Sequence, residues 1–204
     1  MKLSKVALTL VVVVGVAAVV LAVKAVATAQ RAAAAKPVAS GRTFGVADAR
    51  VNIQEFTDFQ CPACGHAAAL LHEEMKKEGA SIFVEVKYFP LPMHKHARRA
   101  AEAAQCALAQ NKFWAMQERI FRTQQAWSLA DDPTEYFLGL ARELGIDDKA
   151  LLGCMSQDAA GAVIDADLAE GKRLGVSATP TFFVNGKMAV GGANFQAALT
   201  EALK

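Results

Sequence analysis

The sequence has little excess charge and no dense block of basic residues. Its 204 residues contain 22 Lys and Arg against 20 Asp and Glu, which leaves a formal net charge of +2. Proteins that bind nucleic acid usually concentrate positive charge on one face, so this balance gives nucleic-acid binding little electrostatic support. The sequence also has no internal repeat, and its length suits one ordinary domain with a full hydrophobic core.

The N-terminus carries the features of an export signal. Lys2 and Lys5 precede an uncharged stretch of 18 residues, Val6 to Val23, and a basic start followed by an apolar run is typical of a leader segment. The stretch is long for a cleaved signal core and just long enough for a membrane span, whereas Ala27-Thr28-Ala29 offers the small residues that signal peptidase recognises. We therefore expect residues 1–29 to be either a cleaved signal peptide or a membrane anchor, and both predict export.

Hydrophobic periodicity after residue 43 predicts a mixed α/β domain at 44–204, joined to the leader by an alanine-rich tether at 30–43. Asn185-Gly186 between two short apolar runs is a strong signal for a two-residue hairpin, because both residues accept positive φ. The predicted order is β-α-β, a helical block at about 94–176, and then β-β-α, which is a thioredoxin fold with an inserted all-helical subdomain. The predicted strands are 50–59, 81–88, 181–184 and 187–190, and the predicted helices outside the block are 62–78 and 194–203.

Cys61-Pro62-Ala63-Cys64 stands where the first predicted strand gives way to a helix. Unsatisfied backbone N–H groups and the positive end of the helix dipole favour a thiolate at such a position, so Cys61 is the predicted nucleophile. Two intervening residues allow Cys64 to reach Cys61 and to resolve a mixed disulfide with a substrate. The alternatives are an inert structural disulfide and half of a zinc site with His66 as a third ligand. A zinc site needs a further convergent ligand, and the other cysteines lie far along the chain.

Three motifs follow one another along the chain. They are Glu55-Phe56-Thr57-Asp58-Phe59-Gln60-Cys61-Pro62-Ala63-Cys64, Ala101-Glu102-Ala103-Ala104-Gln105-Cys106-Ala107, and Gly175-Val176-Ser177-Ala178-Thr179-Pro180-Thr181-Phe182-Phe183-Val184-Asn185-Gly186. Together they resemble the DsbA-like family of thiol–disulfide oxidoreductases in the thioredoxin superfamily. The motifs occur in the family's order, the resemblance runs from about Phe44 to the C-terminus, and the helical insertion is also the family's architecture.

The resemblance implies a substrate-binding loop beside the cysteines. Thr179-Pro180 is similar to the family's cis-proline loop, which lies against the active-site disulfide, and an X-Pro bond tolerates the cis form far better than other bonds. We therefore expect the backbone of Thr179 to pair with an extended substrate, next to the active-site residues Pro62 and Ala63. The alternative is an ordinary turn proline before a strand.

Cys106 and Cys154 belong to two predicted helices of the insertion. Many relatives in the resembling family carry a cysteine pair here, and an oxidising compartment favours a structural disulfide, so we expect the two to be joined. The alternative is a pair of buried free thiols that pack as small apolar side chains.

Glu55 alternates with Val51 and Ile53 along the first predicted strand and therefore shares their apolar face. A carboxyl group there is expected to have a raised pKa, which suits it to exchange a proton with Cys64, and the family places a buried acid at the matching position. The alternative is a solvated acid near a strand end. Lys87, on the next strand, is a weaker candidate for the same site.

His94 and His96 precede the predicted helix that begins near Ala97. A metal site is one interpretation, but polar residues just before a helix are more often solvated or act as caps. We therefore expect the latter role for both histidines and no metal site.

The sequence thus predicts an extracytoplasmic thiol–disulfide oxidoreductase, without a cofactor, that is a monomer and binds no nucleic acid. The favoured direction is oxidation of exported proteins by the Cys61–Cys64 disulfide. Isomerases of this broad type resemble one another in carrying an N-terminal dimerisation domain, for which the tether is too short. The resemblance also implies a periplasmic or membrane-tethered location and re-oxidation by a membrane quinone-linked thiol oxidase.

Two alternatives stay open at this point. The first is an isomerase or reductase that is kept in the dithiol form, and the second is a non-catalytic binding module of thioredoxin fold. Pro62-Ala63 lacks the histidine that stands between the cysteines of the strongest oxidants in the resembling family, which predicts a milder reduction potential.

Overall fold

The computed structural model describes residues 17–22, which are helical, and residues 41–204, which form a mixed α/β domain. The predicted leader at 1–29 and the predicted tether at 30–43 lie mostly outside the described residues. Within the two described ranges, no helix is both long enough and apolar enough to cross a membrane.

The elements of the domain alternate in the predicted order, with one additional strand at its start. The strands are β1 (Thr43–Gly45), β2 (Val51–Thr57), β3 (Ile82–Tyr88), β4 (Thr181–Val184) and β5 (Lys187–Val190). The helices are α1 (Pro62–Glu78), α2 (Ala97–Ala107), α3 (Phe113–Arg122), α4 (Gln124–Trp127), α5 (Thr134–Glu143), α6 (Asp148–Met155), α7 (Asp158–Arg173) and α8 (Gly192–Ala202). Two short 3₁₀ helices lie at Gly79–Ser81 and Leu108–Gln110.

A five-stranded sheet with the order β1-β3-β2-β4-β5 forms the centre of the domain. β2 and β3 are parallel and are connected through α1, as parallel neighbours require, whereas the other pairs are antiparallel. Every second residue of β3, from Ile82 to Tyr88, is buried, in agreement with the alternation of the sequence. The domain therefore has the predicted thioredoxin fold with an all-helical insertion.

Local sequence signals account for the ends of several elements. α1 begins at Pro62, whose fixed φ and missing N–H suit a first helical position, and ends before Gly79, which has a φ of +51°. β4 and β5 are connected by Asn185 and Gly186 with φ values of +48° and +80°, the left-handed conformation that a two-residue hairpin of this kind needs.

The helical insertion, α2 to α7, lies between β3 and β4. Cys106 of α2 and Cys154 of α6 are joined by a disulfide with a Cα–Cα distance of 5.7 Å. The cross-link spans 48 residues of sequence and connects the first helix of the insertion to one near its end.

The additional strand, β1, pairs with the edge of β3 and has only three residues. A run this short shows no alternation from which a strand could be predicted. Two residues of the predicted tether also contact the domain. Arg42 forms an ion pair with Asp167, and the carbonyl of Thr43 accepts a hydrogen bond from Trp114 Nε1 at 3.3 Å.

One face of the sheet packs against α7 at very short range. Phe56, Phe89 and Val176 form a small buried cluster there, with Leu168 of α7 packed against it. A Cβ atom placed on Gly171 of α7 would lie 2.6 Å from the ring of Phe89 and 3.0 Å from that of Phe56. The absence of a side chain at this position therefore allows the helix to approach the sheet.

We predict opposite effects for alanine at two helical glycines. Gly171→Ala should lower the free energy of unfolding by roughly 1–2 kcal/mol, because overpacking against the Phe89 ring exceeds the gain in helix propensity. Gly153→Ala on α6, where a Cβ would meet nothing within 4 Å, should raise it by up to about 1 kcal/mol. Urea unfolding of both variants measures the difference, and a Gly171→Ala protein as stable as the parent would contradict the packing argument.

Candidate active site

Cys61 and Cys64 lie where the chain leaves β2 and enters α1. Cys61 is the N-cap residue of α1, and both cysteines are buried free thiols in this structure. The turn before the helix is held in place because Cys61 N–H donates to the carbonyl of Asp58 at 3.1 Å. Gln124 of α4 also donates to the carbonyls of Phe59 and Cys61 at 2.7 and 3.1 Å, so the insertion contributes directly to the site.

The two thiols are in unlike electrostatic surroundings. A hydrogen bond from the Cys64 thiol, together with backbone N–H groups of Cys64 and Ala63, lowers the pKa of Cys61 to about 5. These donors are the unsatisfied groups that a helix start provides. Burial raises the pKa of Cys64, and the neighbouring Cys61 sulfur adds to the rise. Cys61 is therefore the thiolate near neutral pH, and Cys64 holds the proton.

The loop before β4 closes over Cys61. Its Thr179–Pro180 peptide bond is cis, and the Sγ of Cys61 lies 3.5 Å from the carbonyl oxygen of Thr179. Pro180 is buried, while Pro62 and Ala63 are exposed. The structure thus brings Thr179 of the loop and Ala63 of the helix start to the same sulfur.

Glu55 lies in the middle of the sheet, between Val86 of β3 and Phe182 of β4. Its side chain is fully buried, and neither carboxylate oxygen has a hydrogen-bond partner in the part of the chain that the structure describes. Burial raises the pKa of Glu55 to about 7. This group can therefore take up and release a proton near neutral pH.

The suggestion that Lys87 shares the site with Glu55 is wrong. Lys87 pairs in register with Phe56, so it lies on the opposite face of the sheet from Glu55, since neighbouring residues of a strand point to opposite sides. There its ammonium group forms ion pairs with Glu85 at 3.0 Å and with Glu170 at 3.1 Å.

Sequence reasoning missed Asp58, whose carboxylate is fully buried next to the cysteines. It accepts hydrogen bonds from the N–H groups of Gln60 and Leu91, both at 2.7 Å, and contacts His94 Nδ1 at 2.8 Å. The backbone N–H of Asp58 faces the Sγ of Cys64 at 3.4 Å. The position of Asp58 three residues before Cys61 is the sequence feature from which a role at the site could have been predicted.

The two histidines are also more than solvated residues before a helix. His94 contacts the buried Asp58 carboxylate. His96 is buried, its Nε2 lies 2.7 Å from the carbonyl oxygen of Ala130, and it makes no capping hydrogen bond with its side chain.

The fold and this site define the class of protein: a thioredoxin-fold domain with a Cys-x-x-Cys pair at the start of a helix. A family model described as thioredoxin matches residues 38–204, and the chain belongs to that family.

Solved structures with the same fold include several oxidoreductases. A thioredoxin-like oxidoreductase from Silicibacter pomeroyi is 24% identical, with a TM-score of 0.65 over 78% of this chain and 90% of that one. Oxidised BdbD from Bacillus subtilis is 21% identical, with a TM-score of 0.68 over 82% and 96%. MdbA, a thiol-disulfide oxidoreductase from Corynebacterium diphtheriae, is 18% identical, with a TM-score of 0.67 over 84% and 98%.

The curated relatives are longer proteins that are named as Na(+)/H(+) antiporters. The Na(+)/H(+) antiporter NhaA of Herminiimonas arsenicoxydans is 32% identical over 143 residues, which is 70% of this chain and 22% of the antiporter. The antiporter NhaA 1 of Salinispora arenicola is 36% identical over 155 residues, 75% of this chain and 23% of that protein. The chain thus spans between a fifth and a quarter of the length of these relatives.

The buried Glu55 predicts a stability that falls as the pH rises. Its pKa is raised from 4.5 to about 7 in the folded state, so between these values the folded protein binds more protons than the unfolded chain, and stability decreases with pH. Across this window the free energy of unfolding of the parent protein should fall by about 3 kcal/mol, and Glu55→Gln should not show this loss. Urea unfolding at pH 4.5 and 8 measures the loss. Glu201→Gln, at an exposed position, is the control, and an equal loss in the parent and in Glu55→Gln would contradict the prediction.

The roles of the two cysteines predict an ordered alkylation of the reduced protein. The rate of reaction with iodoacetamide at Cys61 should follow a pKa of about 5, with Cys64 unreacted. Cys64→Ala removes the largest stabilising contact of the Cys61 thiolate and should raise this pKa by about one unit, whereas Cys64→Ser keeps a donor and should raise it less. Peptide mapping locates the label, and earlier labelling of Cys64 in the parent would reverse the assignment.

Proposed function

We propose that the protein is an extracytoplasmic oxidase that donates the Cys61–Cys64 disulfide to exported proteins. The observation that carries this proposal is the lowered pKa of Cys61. A thiolate exists only in the reduced form, so every donor that stabilises it favours reduction of the disulfide and makes the disulfide a better oxidant.

The transfer takes place in two thiol–disulfide exchanges. A substrate thiolate attacks the Sγ of Cys61, the bond to Cys64 breaks, and Cys64 leaves as a thiolate that takes up a proton. A second substrate thiolate then attacks the substrate sulfur of this mixed disulfide and releases Cys61. The substrate loses two electrons and gains a disulfide, and the protein becomes the dithiol. The low pKa of Cys61 favours this direction, because a thiolate of low pKa is the better leaving group.

Glu55 is proposed to donate the proton that Cys64 takes up and to accept the proton that Cys64 releases. A carboxyl group exchanges protons most effectively when its pKa is near the working pH, and the pKa of Glu55 is about 7. The group lies on β2, the strand that leads into the cysteine turn.

The surface around Cys61 suits an extended polypeptide substrate. The carbonyl of Thr179 lies beside the sulfur, Pro62 and Ala63 are exposed, and Pro180 is buried. We propose that the backbone of Thr179 pairs with the substrate next to its reacting cysteine, so that recognition depends on main-chain groups rather than on a particular side chain.

The proposed location and redox partner depend on the leader and on the resemblance to the DsbA-like family. A basic and then apolar N-terminus predicts export, which places the domain in the periplasm or another extracytoplasmic space, either free or tethered to the membrane. The protein would act as a monomer, and a membrane quinone-linked thiol oxidase would restore its disulfide.

A redox titration against glutathione tests the direction. We expect a potential between roughly −120 mV, typical of strong oxidants, and about −270 mV, that of thioredoxin. The reduced protein should also unfold at a higher urea concentration than the oxidised protein, because the folded state stabilises the Cys61 thiolate. Mass spectrometry must show an intact Cys106–Cys154 bond in both forms.

The outcome separates the proposed oxidase from its alternatives. A potential below that of thioredoxin, or a clearly more stable oxidised form, would indicate a reductase. A protein whose Cys61–Cys64 pair exchanges with neither glutathione nor a thiol peptide would be a binding module. A double Cys61→Ser, Cys64→Ser variant is the control for changes that do not come from this pair.

A further inference from the structure

Asp58 contacts both cysteines through its main chain. Its N–H lies 3.4 Å from the Sγ of Cys64, and its carbonyl accepts the N–H of Cys61 at 3.1 Å. The orientation of the two peptide groups of Asp58 therefore determines how both cysteines are held between β2 and α1.

The side chain of Asp58 is held from two directions. Oδ1 accepts from the N–H of Gln60 within the same turn, and Oδ2 receives the N–H of Leu91 and contacts Nδ1 of His94, both in the segment that follows β3. The Asp58 carboxylate is fully buried, while the His94 side chain is 21% exposed. Because a carboxylate only accepts hydrogen bonds, the proton of this contact belongs to Nδ1 of His94.

His94 is thus the only side chain among the described residues that donates to this buried carboxylate, since its other two donors are backbone groups. A buried charged acceptor that loses a donor must reorient or admit water, because an unsatisfied group in the interior is costly. Reorientation of Asp58 would move the N–H that faces Cys64.

We propose that His94 is a positioning residue for the resolving step of disulfide exchange, in which Cys64 attacks the mixed disulfide at Cys61. This inference rests on the proposed function, in which this step regenerates the Cys61–Cys64 disulfide from the dithiol. In the step, the Cys64 thiolate forms a bond to the Sγ of Cys61, the bond between Cys61 and the partner breaks, and the partner leaves as a thiolate. The N–H of Asp58 stabilises the charge on Cys64 before the attack, and His94 keeps this N–H in place through the carboxylate.

The first step of the exchange depends mostly on donors other than Asp58. The Cys61 thiolate is stabilised by the Cys64 thiol and by backbone N–H groups of Cys64 and Ala63. Among the described contacts, only the Cys64 thiol meets Asp58, through the backbone N–H, and none of these groups contacts the Asp58 carboxylate or His94. A positioning role for His94 should therefore affect the second step and leave the first nearly unchanged, whereas a general structural role would slow both.

Oxidation of the reduced protein by glutathione disulfide separates the two steps. The Cys61 thiolate attacks the disulfide and releases one glutathione thiolate. Cys64 then attacks Cys61 and releases the second. Two electrons pass from the dithiol to glutathione disulfide, and the proton of Cys64 goes to solvent or to a released glutathione thiolate. Acid quenching followed by intact-mass measurement counts the mixed disulfide and the closed disulfide at each time, so one experiment gives both rate constants.

We expect His94→Ala to slow the resolving step about fivefold, the effect of losing one hydrogen bond of ordinary strength, and to change the first step by less than about twofold. His94→Asn keeps an N–H donor and should restore most of the resolving rate. His94→Leu keeps bulk without a donor and should be as slow as the alanine variant. His66→Ala, at an exposed position of α1, should match the parent in both steps.

The outcomes that contradict this inference differ from those that contradict the proposed function. Equal resolving rates in the parent, His94→Ala and His94→Leu would exclude a positioning role, and so would an equal slowing of both steps that His94→Asn does not restore. If circular dichroism shows that His94→Ala is unfolded, the resolving rates of His94→Leu and His94→Asn decide between a positioning role and a structural role. A parent protein that forms neither the mixed nor the closed disulfide would instead remove the proposed function.

Discussion

The site depends on hydrogen-bond donation to a single sulfur atom at the start of α1. Cys61 occupies the N-cap position, so free N–H groups of the first helical turn and the Cys64 thiol converge on its Sγ and lower its pKa to about 5. Such donation needs a helix start that does not move, and α1 is held by the burial of one side, including Ala67 and Leu71, in the main core. The packing that fixes α1 in the core therefore also maintains the reactivity of the Cys61 thiol.

Two buried carboxyl groups in the same segment differ in their hydrogen-bond partners, and this difference suits them to different roles. Glu55 has no hydrogen-bond partner among the described residues and a pKa of about 7, which suits a group that gains and loses a proton. Asp58, three residues later, faces two backbone N–H groups and His94 Nδ1, which suits a group that holds the chain in place. Paired acids in unlike surroundings are a recurrent feature of sites that move protons.

The helical insertion belongs to the active site as much as the sheet does. Gln124 reaches the carbonyls of Phe59 and Cys61, and the carbonyls of Ser128 and Ala130 contact Gln60 and His96. The disulfide between Cys106 and Cys154 connects α2 to α6 and restricts the insertion that supplies these contacts. Cross-links of this kind limit the freedom of the unfolded chain.

The sequence by itself determined the elements whose signals are local: the Cys61–Cys64 pair at a helix start, α1 from Pro62 to Glu78, and the hairpin at Asn185 and Gly186. These follow from proline, glycine and the two periodicities, which act over a few residues. Only the tertiary structure decided that β1 pairs with β3, that Lys87 lies away from Glu55, and that His94 meets Asp58 across 36 residues of sequence. Such contacts depend on strand register and on loops that packing holds together, so they cannot be predicted from any short stretch of sequence.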